Sequence, residues 1–451
     1  MINETAIIIT GSARSHLNAT LYVAHLISPK YKVIYATYSS SETIIVSNGY
    51  EFFQLKSVPF GIGNEELVNK SLNSNSIYLD SLIDRLSNGI YEYRAKELIN
   101  MVETLTPSIL FIDIFLSTDF IILYPTIRKN KIKIVFIQTM LSTRTVEGIP
   151  LIDSKKEYIN DFRIKIEHSE RCILKYIIHI LNCLKWLGRD DLSLIKSKFL
   201  SNKIPNKYEM MKSNFYNITF DNILELITAP KELEFAQNYS GNQYYLGNAI
   251  DLNRIITEEE RKNTEYSKNA LNQEKWDKRI YCAFGTLSMF SKSKAKTIIE
   301  KLVVVANNNP KKLFICACTV GDDLKELPIN MLIIPTICQM KILPMVDLFI
   351  THAGLGSVKE SIHFQIPMLG YPINSKWDAT SNAAKIAYHG IGLSGDINKD
   401  TPRQIEAKIE ELLVNPKYKQ NITAMNQRIQ KNPNYLPSRI LEIIENSPYL
   451  V

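Results

Sequence analysis

The sequence predicts an α/β protein: two doubly wound parallel-sheet domains facing each other across a cleft. Two observations carry this. In the first half, short apolar runs at 6–10, 32–37, 108–113, 131–137 and 224–228 alternate with amphipathic helical stretches. After a polar passage at 248–274 the alternation restarts, with runs at 280–284, 313–318, 331–335, 347–351 and 367–371. Strands separated by helices pair in parallel, so each half predicts its own sheet. The boundaries read as a first domain at 1–247, a linker at 248–275 and a second domain at 276–430. A terminal helix at 431–451 follows, placed to cross back to the first domain.

Each part has its own reason. The linker holds Glu258, Glu259, Glu260, Arg261, Lys262 and Glu265 between apolar periodic segments. The terminal helix follows the breaker run Pro433 to Pro437, with Ser438 as a cap candidate. At about 100–200 residues per domain, 451 residues accommodate two to four domains, and 45% hydrophobic residues fill sizeable cores. The charge of +7 arises from 53 basic and 46 acidic residues without a long basic block. That pattern argues against nucleic acid and suits anionic small molecules or an anionic membrane surface. The six cysteines form no Cys-x-x-Cys and no cysteine–histidine spacing was found, so no zinc site is expected. Residues 1–12 lack a secretory pattern, which by default predicts a cytoplasmic protein. The apolar stretches at 109–124 and 173–187 are broken by charged residues and are too short to span a bilayer.

Function is concentrated in the run Thr351-His-Ala-Gly-Leu-Gly-Ser-Val-Lys-Glu360. A strand ends and a helix begins here, with Gly354 and Gly356 allowing close backbone approach and the helix presenting unpaired N–H groups to an anion. His352 and Ser357 add side-chain donors. A glycine pair alone would signal only a tight turn.

Downstream lie Pro367, Pro372, Asp378, Asn382, Ala383, Gly390 and Gly392. With His352, Gly354, Ser357 and Glu360 they resemble, in order, the nucleotide-sugar signature of the UDP-glycosyltransferase family. The resemblance implies the GT-B architecture of two Rossmann-like domains, with the donor in the second and the acceptor in the first. It also implies that Asp378 holds sugar hydroxyls, that Glu360 holds the ribose, and that Gln339 belongs to the segment packed on the nucleoside. Departures fall at Gln365, at Ala379 and in the longer Pro372-to-Asp378 connection, and are read as bearing on donor choice. Thr336 and Cys338 replace an aromatic residue and a proline beside the base.

A catalytic base must come from the first domain. His16, in the loop after the first strand, is the candidate by topology and by resemblance. Asp113 ends an apolar strand, where an ionised side chain needs a partner; the resemblance implies that it orients the imidazole, with Asp119 as the fallback. The implied reaction is an inverting transfer from a UDP-sugar to an acceptor hydroxyl. Thr286, in Phe284-Gly-Thr-Leu-Ser288, is a further diphosphate donor. No Asp-x-Asp appears, so neither a metal nor a cofactor beyond the nucleotide sugar is predicted. The acceptor region is 149–212, favouring an apolar or lipid-like alcohol. Its segment 173–187 predicts core packing, with a greasy pocket or a membrane surface as alternatives. A sugar-nucleotide epimerase and a non-catalytic helper of transferase ancestry stay open. Thr336, Ala379 and Gln365 favour the helper, while His16 and Asp113 favour the enzyme.

Overall fold

The computed structural model describes residues 4–154, 162–210, 217–235, 241–285, 292–319, 326–374 and 377–449. Its strands form two wholly parallel sheets. The first holds β1 (Glu4–Ile9), β2 (Tyr31–Thr37), β3 (Glu51–Gln54), β4 (Ile109–Asp113), β5 (Lys133–Gln138), β6 (Leu224–Ile227) and β7 (Gln243–Tyr245), in the order β3-β2-β1-β4-β5-β6-β7. The second holds β8 (Lys278–Ala283), β9 (Lys312–Ala317), β10 (Met331–Ile334), β11 (Leu348–Thr351), β12 (Met368–Gly370) and β13 (Gly392–Ser394), ordered β10-β9-β8-β11-β12-β13. Helices cover both faces of a doubly wound sheet, so its central strands have no polar side. Ala6 to Ile9 are accordingly buried throughout, as is β4.

In each sheet the strand order reverses once, between β1 and β4 and between β8 and β11. Chain leaving the carboxyl ends of these strands opens the crevice where ligands bind in such folds. Ile9 pairs with Ile112 and Thr351 with Ala283. The loops carrying His16, Asp113, Gly285 and His352 therefore lie at the two reversal points.

The lobes share packing. Met140, Leu141, Ile227 and Tyr245 of the first join Leu355, Val358 and Ile362 of the second in one apolar cluster. Lys359 donates to the carbonyls of Thr228 and Ala249. The polar passage between the sheets holds a helix, Glu258–Leu271, started by a reciprocal capping box of Thr257 and Glu260. The terminal helix Pro437–Glu445 buries Ile440 and Ile444 against Ile8, Leu21 and Phe111 of the first lobe. Truncating such a buried isoleucine to alanine costs about 2–5 kcal/mol.

One expectation is overturned. Helix Phe162–Lys185 does not bury its apolar residues: Ile173 is 61% exposed, Tyr176 66%, Leu181 58% and Leu184 70%. The helix is apolar on several sides, and what covers it among the described residues is confined to its ends. Core packing is therefore not its role.

Candidate active site

The first half of the site follows from burying a carboxylate at a strand end. Asp113 is fully buried and must be solvated by protein. Its Oδ2 accepts from Thr10 Oγ1 at 3.0 Å and lies 2.6 Å from His16 Nδ1, while Oδ1 accepts the Phe115 amide at 3.1 Å. Thr139 Oγ1 lies 3.3 Å from the same His16 nitrogen. Phe115 sets its ring edge-on to the imidazole at 4.8 Å. With Nδ1 held, Nε2 is the nitrogen left to address a substrate. Burial lowers the His16 pKa, but the charge and hydrogen bond of Asp113, helped by Asp378, raise it above the ordinary value overall. Asp119 plays no part: its two oxygens take a bidentate hold from buried Arg94 at 3.0 and 2.6 Å.

The second half lies at the start of helix Leu355–Phe364. Gly354 is its N-cap and makes no side-chain cap bond; the first helical bond runs from the Val358 amide to the Gly354 carbonyl at 3.1 Å. The amides of residues 355–357 thus have no acceptor within the helix and face the crevice with the positive end of the dipole. Ala353 before them has φ +62°, a strained conformation for a residue with a side chain. Asn382 fixes it by donating to the Ala353 carbonyl at 3.0 Å and to Asp378 Oδ2 at 3.0 Å. Asn382 is fully buried, so its place is behind the donor seat, positioning it.

The glycines divide their work in a way the sequence did not show. A Cβ on Gly354 would stand 2.3 Å from His352 Nε2, and one on Gly285, at φ +65°, 2.5 Å from His352 Cε1. Both clear space for the imidazole. Gly356 has nothing within 4 Å of that position and is the open one. His352 is buried, its Nδ1 has no hydrogen-bond partner among the described residues, and burial pushes its pKa down to about 4. It is a neutral imidazole able to donate or accept one hydrogen bond.

Gln339 Nε2 reaches Glu360 Oε2 at 2.7 Å and Ser357 Oγ at 3.3 Å, while Arg254 meets Glu360 Oε1 at 2.9 Å. Arg254 was missed because it sits in the polar passage, where no motif marks it. Thr286 lies outside the described residues. Burial pushes the carboxyl of Asp378 up, against the pull of Asn382, Lys385 and His16. His16 and Asp378 thus feel each other across the crevice, and Phe115 spans it, 6.4 Å from Trp377. His16 and Asp113 on one side, and His352, Gly354, Gly356, Ser357 and Asp378 on the other, are brought to one place.

Of the departures, Gln365 bears on fold. It closes helix Leu355–Phe364 at φ +60°, a left-handed position favouring glycine, and is held by Lys419 at 2.7 Å and Thr423 at 3.0 Å. Thr336 and Cys338 lean on helix Glu258–Leu271 through Asn263 at 3.0 Å and Thr264 at 2.9 Å.

A small cavity, partly open to solvent, adjoins this site without including either histidine. It is lined by Val146, Ile149, Leu151 and Ile152 together with Arg144, Asp153, Glu234 and Lys385. It begins at Ser142, three residues after Thr139. Lys385 links it to the donor side, reaching Ser381 Oγ at 2.9 Å and Glu234 at 3.7 Å.

Residues 282–435 match the family described as UDP-glucoronosyl and UDP-glucosyl transferase. The match falls on the second lobe. It covers every donor-side residue named above except Arg254. An uncharacterised UDP-glucosyltransferase of Bacillus subtilis, YdhE, is 28% identical over 173 residues, 38% of this chain and 42% of that protein. Human UDP-glucuronosyltransferase 3A1 is 24% identical over 170 residues, 37% of this chain and 32% of that one. The chain thus spans less than half the length of these relatives. The fold is alike over nearly the whole chain. A kitacinnamycin glycosyltransferase superposes with a TM-score of 0.68 at 17% identity, covering 99% of this chain and 100% of that one. The spinosyn forosaminyltransferase gives 0.63 at 16%, covering 98% of each. The architecture is GT-B.

Proposed function

We propose that the protein is an inverting glycosyltransferase that moves a hexose from a nucleotide diphosphate sugar, UDP-linked by the family of its second lobe, to a hydroxyl of a small acceptor. The observation that carries this is the His16–Asp113 pair, 2.6 Å apart at one reversal point and electrostatically joined to Asp378 at the other. His16 Nε2 takes the acceptor proton. The freed oxygen bonds to the anomeric carbon as the bond to the diphosphate breaks on the opposite face, and the nucleotide diphosphate leaves with the electron pair. Asp113 stabilises the imidazolium. The amides of residues 355–357 and neutral His352 meet the leaving charge, each such donor being worth about 3–4 kcal/mol in other enzymes. Catalysis by these residues needs no metal ion.

The acceptor reading follows from the cavity. Its mixed aliphatic and charged lining suits an amphiphilic alcohol, consistent with the natural-product names of the structural neighbours. The exposed helix Phe162–Lys185 supports peripheral contact with an anionic membrane: residues 171–189 contain no acid but hold Arg171, Lys175, Lys185 and Arg189. No helix among the described residues is long and apolar enough to cross one.

The test is an assay of UDP- and TDP-sugars against macrolide and other polyketide alcohols, with the parent and His16→Ala. Transfer that depends on His16 and yields the inverted anomer supports the reading. Transfer unaffected by the substitution overturns the mechanism, and nucleotide binding without transfer to any acceptor points to a binding protein.

A further inference from the structure

Away from the crevice, at the end of the exposed helix, three side chains of metal-ligating type converge. His179 and Cys183 are four residues apart and so share one face of helix Phe162–Lys185. Asp190 is the N-cap residue of the next helix, Asp191–Ser201. His179 Nδ1 lies 2.9 Å from Asp190 Oδ2, Cys183 Sγ 3.2 Å from Asp190 Oδ1, and Sγ 3.7 Å from His179 Nδ1. The expectation that the chain has no cysteine–histidine ligand spacing does not hold here: one helical turn pairs His179 with Cys183, and the following turn brings Asp190.

We infer that His179, Cys183 and Asp190 form a three-ligand site for a zinc-like divalent ion. The distances carry it. A tetrahedral ion with bonds of about 2.3 Å to sulfur and 2.0–2.1 Å to nitrogen and oxygen separates S from N or O by ~3.6 Å and N from O by ~3.3 Å. His179 Nδ1 and Cys183 Sγ, 3.7 Å apart, already stand at such an S–N edge, each reaches one oxygen of the Asp190 carboxylate, and one ligand atom from each residue lies within 4.8 Å of the others. The donor set of one thiolate, one neutral imidazole and one carboxylate suits zinc rather than magnesium or calcium. Charge balances: Cys183 gives its thiol proton to solvent, and thiolate plus carboxylate neutralise the ion. Asp190 has 5% of its side chain exposed, so it enters with little solvent to displace. Ser193, which donates its hydroxyl to Asp190 Oδ1, fixes the carboxylate from behind. A fourth position stays open to water or another ligand. The ion would clamp the end of the exposed helix to the helix that follows, independently of sugar transfer.

The probe is cobalt(II) added to the full-length, reduced, chelator-treated protein. One equivalent should bind with thiolate-to-cobalt charge-transfer absorption and tetrahedral ligand-field bands, and zinc should displace it. Cys183→Ser should abolish the charge-transfer absorption and His179→Ala should weaken binding at least tenfold. Cys172→Ser should change neither, since that exposed thiol lies eleven residues earlier. Circular dichroism verifies folding of each variant; should Cys183→Ser not fold, Asp190→Asn replaces it, with at least tenfold weaker binding expected. Absence of stoichiometric binding, charge-transfer absorption that survives Cys183→Ser, or parental affinity in both His179→Ala and Asp190→Asn overturns the site.

Discussion

Two histidines follow the carboxyl ends of central strands, one in each lobe, and the protein sets them to opposite protonation. His16 pairs with a buried carboxylate 2.6 Å away, and its pKa rises despite burial. His352 has no acid acting on it among the described residues, and burial drives it down to about 4. The first can accept a proton near neutrality and keep it; the second stays a neutral dipole next to where a diphosphate would sit. Residue type and strand-end position do not assign a role here. The neighbouring charge does.

Breaking the first histidine gives the largest effect. His16→Ala should lower kcat by about 10²–10⁴-fold in steady-state transfer assays, with donor affinity by calorimetry unchanged. Removing the second should be smaller: His352→Ala is expected to cost about 10²-fold in kcat, while His352→Gln, another neutral donor, stays within about tenfold of the parent. Equal losses for Ala and Gln would contradict the neutral-donor role. Crowding the same ring sharpens the comparison. Gly354→Ala or Gly285→Ala should weaken UDP binding and destabilise the fold by about 1–3 kcal/mol in denaturant unfolding, because the ring must move. Gly356→Ala, with open space at its Cβ, should leave stability within about 1 kcal/mol.

The mildest prediction concerns pH. Burial lowers Lys359 to about 7 in the fold, far below the value of an unfolded lysine. Between these values the unfolded chain binds the extra proton, so stability rises as pH goes from about 7 towards 10. His16 acts in the other sense: its contribution is present below about pH 6.5 and lost as pH climbs through its raised folded value. Thermal unfolding from pH 7.5 to 9.5 should therefore show an upward slope that flattens in Lys359→Met.

Much of this was legible before any coordinates. Ile7 to Ile9 and Ile109 to Ile112 announce strands because burial on both faces leaves unbroken apolar runs. Both histidines and Asp113 follow from the ends of such runs. The edge strands β3, β7 and β13 did not announce themselves: they are three or four residues long, and Glu51, Gln54 and Gln243 face partly to water. Helix Glu258–Leu271 was hidden by its charges, although Thr257 and Glu260 spell a capping box. Helix Phe162–Lys185 misled because periodicity reports which side chains are apolar and leaves open what covers them. The role of Gly285 was out of reach, since it depends on the His352 ring, which arrives just past a strand 67 positions later.

The central claim is that Asp113 tunes His16 as the base, and the pH dependence of kcat/KM tests it directly. The parent should lose activity as pH falls, through a single group titrating above 6.5. In Asp113→Asn that limb should move to lower pH and the plateau should drop by about 10²-fold or more, whereas in His352→Gln it should stay where it was. A limb that Asp113→Asn leaves unmoved, or that shifts in His352→Gln instead, would contradict the account.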